Sequence, residues 1–450
     1  MARLTEVTGM GQIFEPYEPD QPHLFPPSPK DWLPEGHLAY FISDTVDELD
    51  LTAFMAKYLD RDDGRGSLAY HPRMLLKVLI YAYAAGIFSS RRIAAGLEDL
   101  IALRYLSGGN TPSHRTICRF RQESIERFEQ IFVEVVRVAK RAGMIKLGTV
   151  AIDGTKIQAN ASKHKAMSYG RMKEEDEKLR GEIKRLTEIA RGVDEAEDKE
   201  FGPDFRGDEL PAELQRRKDR KAKIRQAMKE LEEEQAAADK EAKRGEPSEK
   251  TGQVRKLKRK NGTPPDKAQK NFTDPESRIM VTGRKSFEQC YNAQAAVDET
   301  AQIVVAVDVS ARNTDAGELL AMTDAVKKNC GQKPKRVMAD TGYRSEANFA
   351  GLEKRGIDGY VALGRGDKLP QLLSEELPAS RRMARKLRTK RGRARYKRRK
   401  VIVEPVFGWA KEVMGFRSFL LRGVRKVRGE WNLVCTALNL RRMSAMLAAG

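Results

Sequence analysis

The second half of the chain alternates strand-type and helix-type segments, and this order constrains the fold more than any other feature. Strands are predicted where apolar and β-branched residues cluster, at 149–152, 278–283, 290–298, 301–311, 335–340 and 359–363. Helices are predicted from about 314 to 328 and from about 345 to 355, and a further helix opens at Glu404. Only two residues, 299 and 300, separate the third and fourth strands, which predicts an antiparallel hairpin. The alternation as a whole predicts an α/β sheet covered by helices.

The first 143 residues follow a different pattern. Residues 1–37 form an irregular, Pro-rich lead-in, and 38–143 have apolar residues at helical spacing, interrupted by Gly and by cap-type Ser and Thr. Short helices joined by tight turns are compatible with a DNA-binding helix-turn-helix, and equally with a packing domain whose arginines are solvated. On the first interpretation, the candidate DNA contacts are His114, Arg115, Arg119 and Arg121.

A charge-dense insert separates the first strand from the rest of the sheet. It spans 164–275, within a sheet-bearing domain of 144–450. Two of its segments have the pattern of solvated helices with a narrow apolar stripe and predict a helical hairpin, and a basic, disordered linker is predicted at 246–270. The role of the insert stays open between DNA binding, dimerisation and a tolerated insertion.

The overall charge indicates a polyanionic partner. The net charge is +20 and the pI is near 9.7, which favours nucleic acid over other partners. A membrane surface is the rival, but the most apolar window is short and contains Lys77, and the N-terminus has no signal-type apolar core. The four cysteines and five histidines are scattered, so zinc ribbons, disulfide frameworks and histidine-based sites have little support and a reducing cytosol fits.

Three acids occupy chemically suggestive positions. Asp153 follows the first predicted strand, Asp340 ends the strand at 335–340, and Glu404 opens a late helix. If the two strands are parallel neighbours, their carboxyl ends lie side by side, where ligands bind in open α/β sheets. Converging carboxylates need cations, and Mg²⁺ or Mn²⁺ suits such oxygen donors. Each acid alone is more often structural; Asp298 and Asp315 fit a hairpin turn and a helix cap and are weaker candidates.

Glu404 lies beside a strongly basic segment. Residues 381–400 contain thirteen Lys or Arg and no acid, which is typical of a nucleic-acid-binding surface or of a disordered basic arm. Lys411 lies seven residues after Glu404 and is expected on the same helical face. Lys400 would join that face if the helix extended back, but Pro405 disfavours helical geometry at Glu404. A phosphate backbone is therefore expected near this acid.

Four stretches resemble the conserved blocks of DDE transposases from bacterial insertion sequences: VAIDGTKIQANAS, YNAQAAVD, VMADTGYRS and VEPVFGWAKEVMGFRSFLLRG. The resemblance covers about 145–163 and 278–445, and the helical region 38–143 is similar to the N-terminal domain of that group. It implies a ribonuclease H-like catalytic domain. It also implies that Asp153, Asp340 and Glu404 form the metal-binding triad, with 186 and 63 residues between successive members.

One branch of that family carries Tyr, Arg, Glu and Lys at fixed spacing. Glu404 and Lys411 match it, whereas Lys400 stands at the Arg position, with Arg399 one place early and Tyr396 one residue out of register. Lysine cannot grip a phosphate bidentately as arginine does, so this part of the signature is weaker. The resemblance makes Lys411, Lys400, Arg399 and Tyr396 candidate DNA contacts.

The resemblance implies an enzyme of the cytoplasm and nucleoid that acts on double-stranded DNA as a homodimer or higher multimer. It would bind the terminal inverted repeats of its own element, cleave each end by hydrolysis with two Mg²⁺ or Mn²⁺ ions, and join the freed 3′ ends to target DNA. Two alternatives remain. One is a metal-dependent nuclease or resolvase of the same fold, and the other is a non-catalytic DNA-binding relic of a transposase.

Overall fold

The computed structural model describes most of the chain. The described residues are 28–52, 54, 69–201, 212–243, 262–283, 286–364 and 377–448. Most of the predicted lead-in, the loop between the two predicted insert helices and most of the predicted basic linker lie outside them.

The N-terminal region is helical, as predicted. Its described helices are α1 (Leu38–Asp47), α2 (Pro72–Ala84), α3 (Ser90–Asp99), α4 (Ile101–Ser107), α5 (His114–Glu123) and α6 (Arg127–Arg141). Helix α5 begins where the Ser113 side chain accepts a hydrogen bond from the Thr116 backbone N–H, a standard N-cap. Helices α3 and α4 are separate because Leu100, between them, has an extended backbone with ψ of 113°.

Six strands form the main sheet, and two short strands form a separate ribbon. The strands are β1 (Val150–Gln158), β2 (Ala166–Ser168), β3 (Gln269–Asn271), β4 (Arg278–Val281), β5 (Phe287–Asp298), β6 (Val304–Ser310), β7 (Arg336–Ala339) and β8 (Asp358–Val361). The main order is β4-β5-β1-β7-β8, with β6 also paired to β5, and β2 pairs with β3. β5 and β6 are antiparallel, which confirms the predicted hairpin.

Strand β1 is longer than predicted. It was expected to end before Asp153, but it continues to Gln158 because its antiparallel partner β5 pairs with it along the whole length, from Val150 opposite Asp298 to Gln158 opposite Cys290. On its other side β1 is parallel to β7, and that pairing stops at Ile152 opposite Ala339. Asp153 therefore lies inside a strand, at the first position where one of its two neighbours has ended.

The helices of the second half cover this sheet or project from it. They are α7 (Tyr169–Phe201), α8 (Ala212–Lys243), α9 (Leu319–Cys330), α10 (Glu346–Lys354), α11 (Pro378–Arg388), α12 (Lys390–Lys397), α13 (Arg399–Gly408) and α14 (Val424–Leu447). Helices α7 and α8 pack together as the predicted hairpin around a small core of their own that includes Leu179, Ile224 and Leu231.

The basic run at 381–400 is helical, forming most of α11 and all of α12, so a disordered arm is not what the chain forms here. The expected limit imposed by Pro405 is also wrong, because α13 begins at Arg399 and runs through the proline. Proline removes the N–H that would bond the carbonyl four residues earlier. That carbonyl, on Val401, instead accepts a hydrogen bond of 2.7 Å from the Gln302 side chain.

Helix α14 joins the two halves of the molecule. It packs against α2 and α6 of the N-terminal region and against β6 of the sheet, and one continuous apolar core includes all of them. Glu430 in this helix is fully buried and accepts hydrogen bonds from the backbone N–H groups of Leu420 and Leu421 and from the Tyr83 hydroxyl. The carboxylate thereby ties the N-terminal helices to the segment after α13.

None of the described helices is both long and apolar enough to cross a bilayer.

Candidate active site

Asp153 and Asp340 are brought together by the parallel pairing of β1 and β7. Ile152 lies opposite Ala339, so the residues that follow them are neighbours at the same end of the sheet. Each acid is fixed by a local backbone bond, from Gly154 N–H to Asp153 Oδ1 at 2.9 Å and from Gly342 N–H to Asp340 Oδ1 at 2.8 Å. The predicted meeting of the two strand ends is confirmed.

The environment of Asp153 favours its neutral form. Burial raises the pKa of the carboxyl, the nearby Arg399 lowers it, and the negative charge of Asp340 raises it further, so the pKa is raised to about 6. Like charges that share a site disfavour ionisation, and a cation placed between them relieves the repulsion. The pair of aspartates is therefore a place that attracts positive charge.

Arg399 supplies positive charge at this place in the structure. Its Nη1 lies 2.6 Å from Asp153 Oδ2, and its Nη2 lies 3.5 Å from Glu404 Oε1. The Arg399 side chain is only 10% exposed, whereas Lys400 points to solvent. Burial raises the pKa of the half-buried Tyr396, and the nearby Arg399 guanidinium lowers it. The guanidinium that contacts the acids thus belongs to the residue one place early in the family signature, and Lys400 does not reach them.

Lys411 lies on the outer half of β1. Its Nζ donates to Thr155 Oγ1 at 2.5 Å and to the Lys156 carbonyl at 3.1 Å, and burial lowers the pKa of this amine. The residue belongs to a π-helical turn, Trp409–Val413, that continues α13. Lys411 is consequently held two residues along the strand from Asp153, on the same side of the pleat as that acid.

A fourth carboxylate, which the sequence interpretation had set aside, borders the site. Asp315 was expected to cap a helix, but α9 begins only at Leu319 and has Glu318 at its N-cap. The side chain of Asp315 instead accepts hydrogen bonds from Asn292 Nδ2 at 2.5 Å and Gln294 Nε2 at 2.7 Å, both from fully buried residues of β5. The cap prediction is therefore wrong.

Two glycines make room for Asp315. A Cβ on Gly154 would lie 2.8 Å from Asp315 Oδ1 and 2.3 Å from Gln294 Nε2, and a Cβ on Gly342 would lie 2.9 Å from Asp315 Oδ2 and 3.0 Å from Asp340 Oδ1. Each glycine closely follows one of the paired aspartates. The signals available in the sequence were these glycines and the two amides inserted into the otherwise apolar stretch YNAQAAVD.

The amide network also reaches the turn that carries Asp340. The Tyr343 hydroxyl donates to Gln294 Oε1, and Tyr343 lies in the short 3₁₀ turn Thr341–Tyr343 that follows the acid. Asn348 donates to the carbonyls of Tyr343 and Ala316 at 2.7 Å and 2.6 Å. The segments that carry Asp315 and Asp340 are therefore linked by buried polar contacts. By contrast, Asp298 accepts from the Thr300 N–H in the β5–β6 connection, which confirms its turn role.

The four candidate residues of the N-terminal helix α5 do not share one environment. His114, Arg115 and Arg119 are exposed. Arg121 is only 5% exposed, and its guanidinium donates to the Phe88 carbonyl at 2.8 Å and to the Tyr83 hydroxyl at 3.2 Å. Arg121 is therefore an internal brace of this region, and its position corrects the expectation that it contacts DNA.

The donors fit Mg²⁺ or Mn²⁺ in kind, since Asp153, Asp340 and Glu404 offer only carboxylate oxygens. Within the described ranges, however, no three acidic, His or Cys side chains are arranged closely enough to hold a metal ion. The Arg399 guanidinium lies where a cation shared by Asp153 and Glu404 would lie. Three oxygen donors can therefore gather around a metal only if this guanidinium moves.

The strand order, with an antiparallel hairpin on one side of β1 and two parallel strands on the other, together with acids at one sheet end, defines a ribonuclease H-like protein. Family comparison identifies the group. The sequence model described as "Transposase DDE domain" matches residues 255–440, and the one described as "Transposase domain (DUF772)" matches residues 27–123. The chain belongs to the DDE transposase family, whose members carry out DNA transposition.

Asp340 and Glu404 lie inside the matched regions, whereas Asp153 lies in the stretch between them. Asp153 is included in the candidate site because the parallel pairing of β1 with β7 makes it a neighbour of Asp340. No curated protein and no solved structure matches the chain.

Proposed function

We propose that the protein cleaves the ends of its own insertion sequence and joins the freed 3′ ends to target DNA, with Asp153, Asp340 and Glu404 as the metal-binding acids. One observation carries this proposal. The parallel register of β1 and β7 makes Asp153 and Asp340 neighbours, and Arg399 brings Glu404 to the same place. Membership of the DDE transposase family supports DNA as the substrate.

Bound divalent ions would supply the charge that activates an attacking oxygen and stabilises the leaving oxygen of a phosphodiester. The protein would supply position. Asp153 and Asp340 are anchored by their own backbone bonds, and the buried amides of β5 fix the neighbouring Asp315. In-line displacement at phosphorus depends mainly on such positioning and on charge neutralisation, with no protein nucleophile required.

The basic helices before Glu404 offer a path for the DNA backbone. Several cations of α11 and α12 are engaged internally, as in the Lys386–Asp358 pair at 2.7 Å and the Arg382–Glu353 pair at 2.5 Å. Others are exposed with no ion pair in the described part of the chain, and they are Arg385, Arg388, Lys390, Arg391, Arg393 and Lys397, joined by Lys400 in the first turn of α13. We assign phosphate contacts to this second group, which precedes Glu404 in the chain.

The remaining assignments belong to the same proposal. Residues 38–143 would form the N-terminal domain, with His114, Arg115 and Arg119 as DNA contacts, and 144–450 the catalytic domain interrupted by the insert. The protein would recognise terminal inverted repeats as a dimer or higher multimer, in the cytoplasm of a bacterium. The Glu404–Lys411 spacing supports the branch with the Tyr-Arg-Glu-Lys signature.

A strand-transfer assay tests the proposal. Purified protein would be incubated with Mg²⁺, supercoiled plasmid and a labelled duplex containing one end of the element with its flank. Glu404→Gln and EDTA remove the reaction, and Asp324→Asn serves as a control because that exposed acid only pairs with Arg355 at 2.7 Å. Joined products that require Mg²⁺ and Glu404 support a transposase. Cleavage without joining indicates a nuclease, and salt-sensitive binding without either reaction indicates a DNA-binding relic.

A further inference from the structure

A basic cleft lies between the insert hairpin and the ribbon that anchors it, outside the acidic site. It encloses about 640 Å³ and is lined by the cations Lys165, Arg171, Arg216, Arg220 and Lys223, with His164, one carboxylate (Asp219) and an exposed Phe272. The lining comes from the β2–β3 ribbon region, α7 and α8. A concave surface that is predominantly positive focuses the electrostatic potential and attracts a polyanion.

The cations of this cleft differ from those elsewhere on the hairpin in having few partners. Away from the cleft, Arg225 pairs with Asp176 at 2.8 Å, and Arg217 pairs with Glu182. Within the cleft, Arg220 pairs with Glu175, whereas the structured residues offer no ion pair to Lys165, Arg171, Arg216 or Lys223. These four exposed cations give the cleft a positive charge that an anion with several charges would neutralise.

Phe272 adds an aromatic surface beside these charges. Its side chain is 38% exposed, and its backbone N–H bonds the Lys165 carbonyl at 3.0 Å, so the ring lies next to the basic residues. A ring between cations suits a nucleic acid, which presents phosphates together with sugar and base surfaces. A solvated helical face needs no such ring and no concave shape.

The cleft is close enough to the acids to contact the same DNA molecule. Asp153 and His164 are eleven residues apart in sequence, and an extended chain of that length spans at most roughly 40 Å. That distance corresponds to about twelve base pairs of duplex at about 3.4 Å each. The hairpin also contacts the sheet directly, because Arg278 of β4 pairs with Glu234 of α8 at 2.6 Å.

We propose that this cleft binds the phosphate backbone of double-stranded DNA within about a dozen base pairs of the cleaved position. The proposal rests on the function proposed above and assigns the insert its role. Contact with phosphates is independent of sequence, so the cleft would strengthen binding to element ends and to unrelated duplexes by the same factor.

The test compares two triple variants of the full chain with the same loss of charge. R171Q/R216Q/K223Q empties the cleft of three unpaired cations. K184Q/K229Q/K240Q removes three exposed cations from the same helices outside it, two of which form i,i+4 pairs with Glu188 and Glu233. Circular dichroism checks that both retain their helices, and fluorescence anisotropy with a duplex of about 40 base pairs measures affinity over a range of KCl concentrations.

Each phosphate contact contributes about 0.9 to the slope of log affinity against log salt. The cleft variant is expected to lose about 2 to 3 from this slope, on element-end and unrelated duplexes alike, while the matched variant keeps the wild-type slope. An unchanged slope in the cleft variant, or an equal loss in both variants, overturns the proposal. Both variants retain Asp153, Asp340 and Glu404, so a failure of all three proteins to cleave DNA would contradict the proposed function and leave the slopes to decide about the cleft.

Discussion

Arg399 and Asp153 form a buried ion pair of 2.6 Å between the helix that carries Glu404 and the strand that carries the first acid. The two residues are 246 positions apart in sequence. Because the same guanidinium lies 3.5 Å from Glu404, the site holds a cation of the protein's own between two of the three proposed metal ligands.

Removing that guanidinium is expected to destabilise the protein in a pH-dependent way. Breaking a buried pair from one side costs about 3–5 kcal/mol, and the partial exposure of Asp153 reduces this to about 2–4 kcal/mol. The pKa of Asp153 is already raised to about 6, and Arg399→Gln raises it further. A raised carboxyl pKa destabilises the folded state as pH increases from the unfolded value through the folded one.

The loss in Arg399→Gln should therefore be largest near pH 8 and smaller near pH 5, where Asp153 is protonated. Urea unfolding at both pH values measures it. Arg399→Lys retains the positive charge but lacks the planar guanidinium with its several donors, so its loss of stability should be smaller than that of Arg399→Gln. An equal loss at both pH values would contradict the pairing.

Metal binding should depend on pH through the same acid. A metal ligand must be deprotonated, so protons compete with Mn²⁺ at Asp153 up to a pKa of about 6. Mn²⁺ affinity, followed by electron paramagnetic resonance without DNA, is expected to rise between pH 5 and pH 7 and then level off. Asp153→Asn should weaken binding and flatten this dependence. A rise of equal size in that variant would assign the titration to another group.

A substitution of Asp340 is expected to reduce DNA cleavage without reducing DNA binding. Asp340→Asn preserves the shape of the side chain and can still accept the Gly342 N–H, but it removes the charge. Cleavage of a labelled element end should fall by about a thousandfold or more, an effect of about 4 kcal/mol or more on the barrier. Binding of the same duplex in a gel-shift assay should stay within about threefold of wild type. Normal cleavage would remove Asp340 from the triad.

The substitution Gly154→Ala tests how closely β1 packs against Asp315 and its amide partners. Gly154→Ala places a Cβ 2.3 Å from Gln294 Nε2, so strand β1 or the buried amides must shift. Overpacking of this kind costs about 1–3 kcal/mol. We expect a lower unfolding midpoint and slower cleavage. Gly181→Ala is the control, because no atom lies within 4 Å of its added Cβ and alanine favours a helix. Equal stability of the two variants would contradict the described contact.

Sequence patterns predicted which strands and helices form the site better than where those elements end. Alternation predicted the sheet class, and it placed Asp153 and Asp340 side by side on the condition that their strands are parallel neighbours. It could not predict that β1 continues past Asp153, since that depends on pairing with β5, whose residues are more than a hundred positions away. The helix-cap role predicted for Asp315 is wrong because its amide partners lie in β5, 21 and 23 residues earlier in the chain, and no pattern around Asp315 itself indicates them.

Local rules also failed where tertiary contacts replaced a missing bond. Pro405 was expected to keep the helix from extending backward, but Gln302 satisfies the Val401 carbonyl that the proline leaves without a partner. The sequence predicts a surface cation at Arg121, because nothing in its own helix indicates that Tyr83 and Phe88 enclose it. Both residues depend on side chains that are distant in sequence.

The closing helix α14 has a consequence for how such genes can diverge. It forms a wall of the core for both the N-terminal helices and the sheet, and its Glu430 bonds to Tyr83 on one side and to Leu420 and Leu421 on the other. The N-terminal helical region and the C-terminal helix α14 are therefore not expected to recombine between related genes as independent units. A hybrid protein with N-terminal helices from one parent and α14 from another would have mismatched contacts in its core. We expect such a hybrid to fold only when both parents have compatible residues where α14 packs against these helices.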